Sequence, residues 1–402
     1  MKSIFFIFLL IQTTIISGQN INLQELIDKV KDGETICLRE GIYDANPTPY
    51  TDELCGNCLE HRTEVPGTRG FLVSGKSVNI IGENREKVII KTNAGYGLLF
   101  SFSSNSSVRN VTITGGIRDT SGNATNASIV LKYSRVLIEN CILSNDTVRT
   151  NKTPVVGISG VIVREGSQAV IRNNLIKNNT WDGIALYRGG TAIITDNVIE
   201  NRRGAGIGIT WDASAVIYRN TVSGFWKGIG TFGTSNAVVK NNCIFDNLGW
   251  DIVISGNSSM TVENNVIARN GNCGIAPWAD SGETPGGVIR NNIISDNGWR
   301  KEWVCPQVGL WMNADSSKFI FEYNDVWNNV GSDYKDIENL TGKSGNVSVA
   351  PDFRGEYDFH LKKNSLLLNA GDTKITNTDG TRSHIGIDGG QNTRYIILKN
   401  TR

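Results

Sequence analysis

A six-residue pattern recurs six times between Ile171 and Asn297 and constrains the fold more than any other feature of the chain. Each copy begins and ends with Ile or Val and carries Asn at its fourth position. The fourth-position residues are Asn174, Asn197, Asn220, Asn242, Asn265 and Asn292. They are separated by steps of 23, 23, 22, 23 and 27 residues. A nearly fixed period of this size predicts stacked structural repeats.

The content of each repeat predicts three short strands. Runs of β-branched residues alternate with Asn and Gly, which is typical of strands broken by turns. Identical Asn side chains stacked at the strand spacing can bond to one another and to the turn backbone, and Asn tolerates the left-handed backbone of sharp turns. The predicted fold class is therefore all-β, a single-stranded right-handed parallel β-helix (a solenoid) of about ten coils.

Charge and length narrow the function classes. Forty basic residues face 39 acidic ones, for a net charge of +1, so the polybasic surface of a nucleic-acid-binding protein is absent. The 402 residues are interpreted as one long domain, because each coil of a solenoid contacts only its neighbours.

The N-terminal segment predicts export. Lys2 precedes the apolar run 4–10, and small or polar residues continue to Gly18, as in a secretory signal peptide. The apolar run is shorter than the roughly 20 residues of a membrane span. The mature chain is therefore predicted to be a secreted or cell-surface monomer without a membrane segment.

The remaining chain is divided into three regions. Residues 19–70 are interpreted as an N-terminal cap with a short helix over 23–30, a first coil and a loop inserted at 46–70. Residues 71–332 carry the β-helix repeats, and residues 333–402 form the closing coil, cap and tail. The cap is expected because an uncovered end coil would expose the apolar core.

Seven cysteines in an exported chain favour disulfides over metal binding. Cys273 and Cys305 precede equivalent strands and are predicted to bridge neighbouring coils. Zinc is the alternative for the group Cys37, Cys55, Cys58 and His61. Cys141 and Cys243 are predicted to be buried thiols.

Asn-x-Ser/Thr triplets, which are glycosylation sites in a secreted glycoprotein, occur at Asn105, Asn123, Asn126, Asn145, Asn151, Asn178, Asn257, Asn339 and Asn346.

The end of the chain carries a resemblance. Leu367-Leu368-Asn369-Ala370-Gly371-Asp372 precedes His384-Ile385-Gly386. With the Asn-rich repeats and the N-terminal cap, this resembles the pectin-lyase-like superfamily over roughly residues 21–390. The resemblance implies the fold and leaves the activity open, since that group contains lyases, hydrolases, epimerases and proteins without known chemistry.

Specific catalytic signatures of that group are missing. The chain has no Gly-His-Gly of the polygalacturonases and no Asp-Pro-His-Asp of the mannuronan epimerases. The arginine-bearing motif of the common pectate lyases is also missing. The three histidines, His61, His360 and His384, lie outside the repeats, which argues against a histidine-based mechanism.

A second strand follows each repeated Asn and predicts a trough over residues 181–312. Its leading residues are Ile184, Ile207, Ile229, Ile252 and Ile275. Because side chains alternate along a strand, the residues on both sides of each Ile are predicted to face outward. Those after it are Ala185, Gly208, Gly230, Val253 and Ala276, and those before it are Gly183, Gly206, Gly228, Asp251 and Gly274.

Aromatic residues flank this predicted floor of small residues. Aromatic faces among polar groups suit sugar rings in a concave site, so the predicted partner is an extended polysaccharide. The predicted substrate-binding residues are Trp181, Tyr187, Arg188, Trp211, Asp212, Trp226, Phe232, Trp250, Asp251 and Trp278. The alternative for any single Trp is that it merely covers the edge of a coil.

Two reactions fit such a trough. A uronic-acid lyase needs a base and a cation that stabilises the developing charge, and Lys227 and Arg203 are the candidates. A glycosidase needs two carboxylates about 5–9.5 Å apart, which Asp182 could form with Asp212 or Asp251. No metal ligand set is predicted, although calcium is left open as a cofactor because these aspartates offer oxygen ligands.

The functional hypothesis is therefore a polysaccharide lyase-like enzyme acting on an acidic polysaccharide, with Lys227, Arg203 and Asp182 as catalytic candidates. The alternative is a non-catalytic glycan-binding surface or matrix protein. A third and weaker alternative is a purely structural spacer.

Overall fold

The structure is a computed structural model, and it describes residues 13–16, 22–54, 64–119, 126–145 and 157–391. Over these residues the chain winds as a right-handed parallel β-helix, as the repeat predicts. Each coil visits three sheets in turn, here called A, B and C.

The strands of each sheet stack in chain order. Sheet A contains Thr13–Ile16, Thr35–Leu38, Asn79–Gly82, Ser106–Arg109, Arg135–Glu139, Gln168–Arg172, Thr191–Thr195, Ser214–Tyr218, Asn236–Lys240, Ser259–Glu263, Gly286–Arg290 and Phe319–Glu322. Sheet B contains Gly41–Asp44, Val88–Lys91, Thr112–Thr114, Ile142–Ser144, Leu175–Lys177, Val198–Glu200, Thr221–Ser223, Cys243–Phe245, Val266–Ala268, Ile293–Ser295 and Asp325–Trp327. Sheet C contains Thr48–Asp52, Val65–Ser74, Tyr96–Ser101, Asn126–Lys132, Ile158–Arg164, Ile184–Leu186, Ala205–Ile209, Lys227–Thr231, Trp250–Ile254, Ile275–Pro277, Val308–Trp311 and Ser332–Lys335.

The core is built from columns of identical side chains. Ile184, Ile207, Ile229 and Ile252 are fully buried register neighbours in sheet C. Each buried Ile contributes about 1.5–3 kcal/mol relative to an exposed one. Since the column repeats in every coil, the core is continuous along the helix axis.

The predicted Asn ladder is confirmed at the corner between sheets A and B. The Nδ2 group of Asn197 donates to Oδ1 of Asn220 at 2.9 Å, and that of Asn220 donates to Oδ1 of Asn242 at 3.0 Å. The same contact links Asn174, Asn265, Asn292, Asn324 and Asn346 into one column. Stacking of the coils in register therefore satisfies the buried amides, each of which would otherwise cost about 1–3 kcal/mol.

The sequence also predicts that Asn110 and Asn140 continue this ladder, at steps of 30 residues (Asn110 to Asn140) and 34 residues (Asn140 to Asn174), and this prediction is wrong by one residue. Both adopt positive φ, 55° and 51°, at the turn position immediately before the ladder. The ladder position itself is taken by Cys141, whose backbone N–H donates to Oδ1 of Asn174 at 2.9 Å. Asn at the turn position supplies the left-handed backbone, and Nδ2 of Asn140 donates to Oδ1 of Asn110 at 2.8 Å outside the ladder column.

A second Asn ladder, not predicted, lies at the corner between sheets B and C. It contains Asn247, Asn270, Asn297 and Asn329, with Nδ2 to Oδ1 distances of 2.8 Å from Asn270 to Asn297 and 2.9 Å from Asn297 to Asn329. Each of these residues follows a first-ladder Asn by five positions, so the sequence did carry a signal for it.

The N-terminal end is covered as predicted. The helix Leu23–Lys29 starts at Asn22, whose side chain accepts hydrogen bonds from two backbone N–H groups, and it buries Leu23 and Ile27 against the first coil. The inserted loop is more ordered than predicted, because strands Thr48–Asp52 and Val65–Ser74 form an antiparallel hairpin.

The C-terminal segment covers sheet B. A short 3-10 helix, Ser316–Lys318, precedes the last coil, and residues 336–391 run without long strands. Phe359, Leu361 and Ile385 from this segment pack on Phe245 and Val266. This contact buries the outer face of sheet B at strands Cys243–Phe245, Val266–Ala268 and Ile293–Ser295.

The predicted disulfide between Cys273 and Cys305 is present, with 6.0 Å between the Cα atoms. Cys37, Cys141 and Cys243 are free, and the latter two are buried as predicted. Cys55, Cys58 and His61 lie outside the described residues, as do residues 1–12, 17 and 18 of the predicted signal segment. In the described ranges, no helix is both long and apolar enough to cross a bilayer.

Candidate functional site

The predicted floor of the trough is confirmed in register. Ala185, Gly208, Gly230, Val253 and Ala276 are direct lateral neighbours on five successive strands of sheet C. The shared register places small side chains in a row along the axis of the coil.

The predicted outward orientation of the residues before each Ile is wrong. A Cβ atom on Gly206 would lie 3.4 Å from the buried ring of Phe225, so this position and Ile207 both face the interior. The chain is still turning the corner from sheet B, and the alternation of sides fails there.

Asp251, which precedes Ile252, also faces the interior. It is fully buried, and its carboxyl oxygens accept hydrogen bonds from Asn247 at 2.6 Å and from Asn270 at 2.5 Å. Burial raises the pKa of Asp251 well above its ordinary value. Asp251 is therefore hydrogen-bonded to the second Asn ladder and does not line the trough.

The outward column before the floor is formed by residues two positions ahead of each Ile. Ala205, Lys227 and Trp250 are register neighbours in this column. Asp182 occupies the same position one coil earlier, since the next residue, Gly183, donates its N–H to the carbonyl of Ala205. The small Ala205 thus separates an acidic and a basic side chain.

Asp182 faces the floor. Its Oδ1 accepts a hydrogen bond from the N–H of Ala205 at 2.6 Å, and its Oδ2 lies 4.0 Å from the point where a Cβ atom on Gly208 would stand. Partial burial raises the pKa of Asp182 to about 6, against the opposing effects of the Ala205 hydrogen bond and the charge of Lys227.

Lys227 extends toward the ring of Phe232, which covers the next floor residue. Its Nζ lies 4.6 Å from the ring centroid of Phe232, and that ring in turn approaches within 2.9 Å of the Cβ position of Gly230. Burial lowers the pKa of Lys227, and the charge of Asp182 opposes this shift. The two side chains influence each other without an ion pair, as no N–O contact of 4.0 Å or less joins them.

Arg203 is held between tryptophans at the edge of the trough. Its guanidinium carbon lies 4.6 Å from the ring centroid of Trp226 and 5.8 Å from that of Trp181. The two rings meet edge to face at 5.8 Å, and Trp226 makes the same contact with Trp303. Within the described part of the chain, Nε of Arg203 is buried without a hydrogen-bond partner.

The sequence predicts an insertion at 298–306 whose Trp299 and Trp303 either roof the trough or anchor a loop, and the ring of Trp303 contacts that of Trp226 at the rim. Residues 298–306 are anchored by the disulfide of Cys305 and by Trp299, whose Nε1 donates to the carbonyl of Arg269 at 2.7 Å. Arg300 lies 4.2 Å from the ring of Trp303. The insertion therefore extends the aromatic edge of the site.

The other predicted binding residues lie at the opposite edge or outside the open part. Tyr187 is buried, with the guanidinium carbon of Arg164 at 5.3 Å from its ring, and Trp211 packs against the same apolar cluster. Arg188 lies 3.7 Å from Glu165, and exposed Asp212 accepts a hydrogen bond from the N–H of Gly189 at 2.6 Å. Trp250 and Trp278 contact each other edge to face at 6.0 Å.

The predicted oxygen ligands do not converge. Asp251 faces the interior, whereas Asp182 faces the trough and Asp212 is exposed on a turn. Across the residues that the structure describes, no group of three or more His, Cys, Asp or Glu side chains is placed to hold a metal ion.

A groove also lies on the outer face of sheet A. It has a volume of about 640 Å³ and is lined by aliphatic side chains such as Val170, Ile193 and Val216. No acidic side chain and only one basic one, Arg135, line it. This groove therefore offers no pair of acidic and basic side chains like Asp182 and Lys227 on sheet C.

Comparison with protein families agrees with this architecture. The family described as the right handed beta helix region matches residues 159–326. The chain is a right-handed parallel β-helix protein. The match agrees with the fold that the resemblance to the pectin-lyase-like superfamily implies.

Solved structures similar to this β-helix protein are distant. An alginate lyase from Paenibacillus sp. str. FPU-7 is 14% identical with a TM-score of 0.44, over 76% of this chain and 99% of the other. Pectate lyase Pel9A is 16% identical with a TM-score of 0.44, over 95% and 98% of the two chains. A Family 28 exopolygalacturonase from Yersinia enterocolitica is 12% identical with a TM-score of 0.45, over 81% and 78%. These similarities concern the fold alone. No curated protein matches the chain.

Proposed function

We propose that this protein is an exported, carbohydrate-active β-helix protein that acts as a polysaccharide lyase on an acidic polysaccharide bound to the outer face of sheet C. The observation that carries the proposal is the position of Asp182 and Lys227 in one column beside the glycine floor, with only Ala205 between them. Burial raises the pKa of the acid and lowers that of the amine, which brings both toward the range in which they can exchange protons near neutral pH.

The reaction is a β-elimination. Lys227, in its neutral form, removes the proton beside the uronate carboxylate, and the electron pair of that C–H bond forms the new C=C bond. The glycosidic C–O bond breaks, and the leaving oxygen takes a proton from Asp182. The C–H proton and the leaving-group proton are thus handled by separate side chains.

Arg203 supplies the charge stabilisation. Its guanidinium is positioned by Trp181 and Trp226 and has no carboxylate partner among the described residues. Guanidinium groups bind carboxylates with two parallel hydrogen bonds. A cation fixed at the uronate carboxylate stabilises the negative charge that develops when the neighbouring proton leaves.

A hydrolase is less well supported by the same geometry. Glycosidases use two carboxylates flanking the scissile bond. Asp251, one of the two partners predicted for Asp182, faces the interior. Asp212, the other, accepts a hydrogen bond from a turn N–H. The outward column pairs Asp182 with an amine and not with a second acid.

The test is the appearance of unsaturated uronide absorbance with polygalacturonate, alginate and glucuronate-containing polymers. Lys227→Ala is expected to lose about a hundredfold or more in turnover. Lys227→Arg keeps the charge but cannot act as a base, so it should lose activity equally. Arg202→Ala, which changes the exposed neighbour of Arg203, is the matched control and should retain activity.

Unchanged turnover in Lys227→Ala would remove this residue from the mechanism. Thermal unfolding of each variant separates loss of chemistry from loss of fold.

A second candidate function is non-catalytic glycan binding, which the row of Trp181, Trp226 and Trp303 favours. It predicts retention of acidic glycans without bond cleavage. Trp181→Ala and Trp226→Ala should weaken that retention, while Trp299→Ala, on the same insertion as Trp303, should not.

A further inference from the structure

The insertion that carries Trp303 completes a row of side chains at the corner between sheets B and C. Lys227 and Trp250 are register neighbours, so the residues before them, Trp226 and Gly249, occupy the same corner position on successive coils. Gly249 has no side chain, and the ring of Trp303 fills its place, with Cζ3 at 3.4 Å from the point where a Cβ atom on Gly249 would stand. The insertion therefore supplies a ring that the coil itself lacks.

Arg300 continues the row toward the next coil. Its Cβ lies 3.3 Å from the Cβ position of Gly271, in the coil that follows Gly249, and its backbone N–H donates to the carbonyl of Gly271 at 2.8 Å. The guanidinium carbon lies 4.2 Å from the ring centroid of Trp303, and Nη1 donates to the carbonyl of Leu248 at 3.2 Å. The insertion therefore holds a cation against the last ring.

These side chains form the Trp–Arg row, which runs along the coil axis. Its members, in order, are Trp181, Arg203, Trp226, Trp303 and Arg300. The two guanidiniums are separated by two to three coils, or about 10–14 Å at the strand spacing of about 4.8 Å. Trp303 is 44% exposed, so solvent reaches the row between the two cations.

Neither guanidinium of the row is paired with a carboxylate. Elsewhere in the coil, Arg219 and Arg290 each contact a carboxylate at 2.7 Å. Among the residues that the structure describes, no acidic oxygen lies within 4.0 Å of Arg203 or Arg300. Over the same residues, the side chain of Arg203 makes no hydrogen bond, and that of Arg300 makes only the one to Leu248. Most N–H donors of both groups are therefore available to an anion from outside the chain.

We propose that the Trp–Arg row binds a chain of uronic acid residues through at least two carboxylates, one at Arg203 and one at Arg300. Guanidinium groups bind carboxylates with two parallel hydrogen bonds, and the rings between them offer apolar surface to the sugars. A single uronic acid cannot span two to three coils, so the ligand is an oligouronate with acidic groups on separated sugars. This inference rests on the proposed function and adds Arg300 and the substrate class to it.

The dependence of binding on carboxylate number tests the inference. Galacturonate and its di-, tetra- and hexasaccharides are titrated calorimetrically into Lys227→Ala protein, which prevents turnover, and oligoalginates of the same lengths form a second series. Affinity should rise about tenfold or more from the monosaccharide to the tetrasaccharide. Equal affinity for all lengths, within about twofold, would overturn the inference.

Methyl-esterified tetragalacturonate removes the charge from the ligand instead of from the protein. It should bind about tenfold or more weakly than the free acid. This comparison does not depend on the folding of a further variant, and equal affinity for ester and acid would contradict recognition by the guanidiniums.

Arg300→Gln, made in the same Lys227→Ala protein, removes the second cation and keeps a donor for the carbonyl of Leu248. It should weaken tetragalacturonate about tenfold and leave the methyl ester within about twofold. Arg300→Lys should recover part of the loss. Lys301→Ala changes an exposed neighbour on the same insertion and is the matched control, with unchanged affinity. Tetragalacturonate binding by Arg300→Gln within about twofold of the parent would remove Arg300 from the site.

Product analysis with the Lys227 side chain intact separates the two proposals. Binding that depends on Arg300, without unsaturated product from any polymer, would support the Trp–Arg row and overturn the lyase. Unsaturated product together with binding that is independent of Arg300 would support the lyase and overturn the role of the row. Absence of both binding and product with every probe would overturn both.

Discussion

Asp182 and Lys227 occupy the same column of sheet C with only Ala205 between them; Asp182 approaches the floor at Gly208, and the amine of Lys227 lies against the ring of Phe232. They are coupled by charge but do not touch. Residues 45 positions apart in the sequence are brought together because two coils separate them. The charge of each group therefore opposes the effect of burial on the pKa of the other.

Asp182→Asn should lower the pKa of Lys227. The carboxylate is the group that raises the pKa of this amine, while burial lowers it, so removing the negative charge leaves burial unopposed. Asn can still accept the N–H of Ala205, which preserves the local structure. The measurement is an NMR titration of the lysine side chain. Asp212→Asn, on the exposed turn, is the control and should leave the titration unchanged.

If the pKa of Lys227 stayed constant in Asp182→Asn, the two residues would be electrostatically independent. The proposed division of the two proton transfers between them would then lose its physical basis.

Gly208→Ala should fold normally and bind glycan poorly. The added methyl would meet its nearest neighbours at 3.8 and 4.0 Å, which is ordinary packing distance. It would also stand on the floor between Asp182 and the substrate, where overpacking costs about 1–3 kcal/mol, or roughly tenfold in affinity. Calorimetric binding together with the urea unfolding midpoint gives both values. Undiminished affinity in this variant would show that glycan lies elsewhere.

Asn220→Ala should destabilise the coil stack. The side chain donates to the carbonyls of Ile194 and Tyr218 and to Oδ1 of Asn242, and its own Oδ1 accepts from Asn197. Several buried groups would lose their partners, at about 1–3 kcal/mol each. Urea denaturation should show a loss of about 3 kcal/mol or more.

The control is Asn236→Ala, at an exposed position on sheet A, which should change the unfolding free energy by less than about 0.5 kcal/mol. Comparable midpoints for the two variants would mean that the ladder contributes little.

The repeat period predicted the coil, the ladder and the lateral register of the floor because these follow from identical residues at equal spacing. Ile207 and Ile229, for example, had to be neighbours once the period was fixed. The face of Asp251 could not be predicted from alternation, since the corner before its strand turns two consecutive positions inward. Pairing of Asn247 with Asn270 follows a five-residue offset that was present in the sequence but not used.

Contacts between side chains of different coils were not predictable in the same way. The contact between Trp250 and Trp278 depends on the directions of two side chains on different strands. The hairpin over the first coils depends on Asp52 meeting Lys132 and Arg164, which are 80 and more residues away and have no periodic relation to it. Such contacts are set by tertiary packing and not by local pattern.

Removing the disulfide should loosen the aromatic edge of the site. Cys273 and Cys305 close a loop with a sequence separation of 32 residues, for which the chain-entropy estimate is about 3–4 kcal/mol. Cys273→Ser/Cys305→Ser should therefore unfold at lower urea and show changed tryptophan fluorescence, because the insertion carries Trp303. The wild-type protein under reducing conditions is the matched comparison and should behave alike. A double variant as stable as the oxidised protein would contradict this role.

Asp325 should make the stability of the protein fall as pH rises. The residue is fully buried, its Oδ1 accepts from the N–H of Val349 at 2.9 Å, and its Oδ2 has no partner among the described residues. Burial raises its pKa to about 8, and Asp333 and Asp296 add to the shift. The unfolded chain releases this proton near pH 4, so between about pH 4 and pH 8 the unfolded state binds fewer protons than the folded one. The free energy of unfolding then decreases with pH, by at most about 1.4 kcal/mol per unit, and this contribution is fully lost above pH 8.

Asp325→Asn tests this account, because the amide keeps an acceptor for Val349 and cannot ionise. The variant should match the parent near pH 4 and be more stable than it at pH 8, as measured by urea unfolding across that range. Asp280→Asn changes an exposed carboxylate and should follow the pH dependence of the parent. If parent and Asp325→Asn lost stability in parallel between pH 4 and pH 8, the buried carboxyl would not be the group responsible, and ionisation elsewhere in the coil would have to account for the loss.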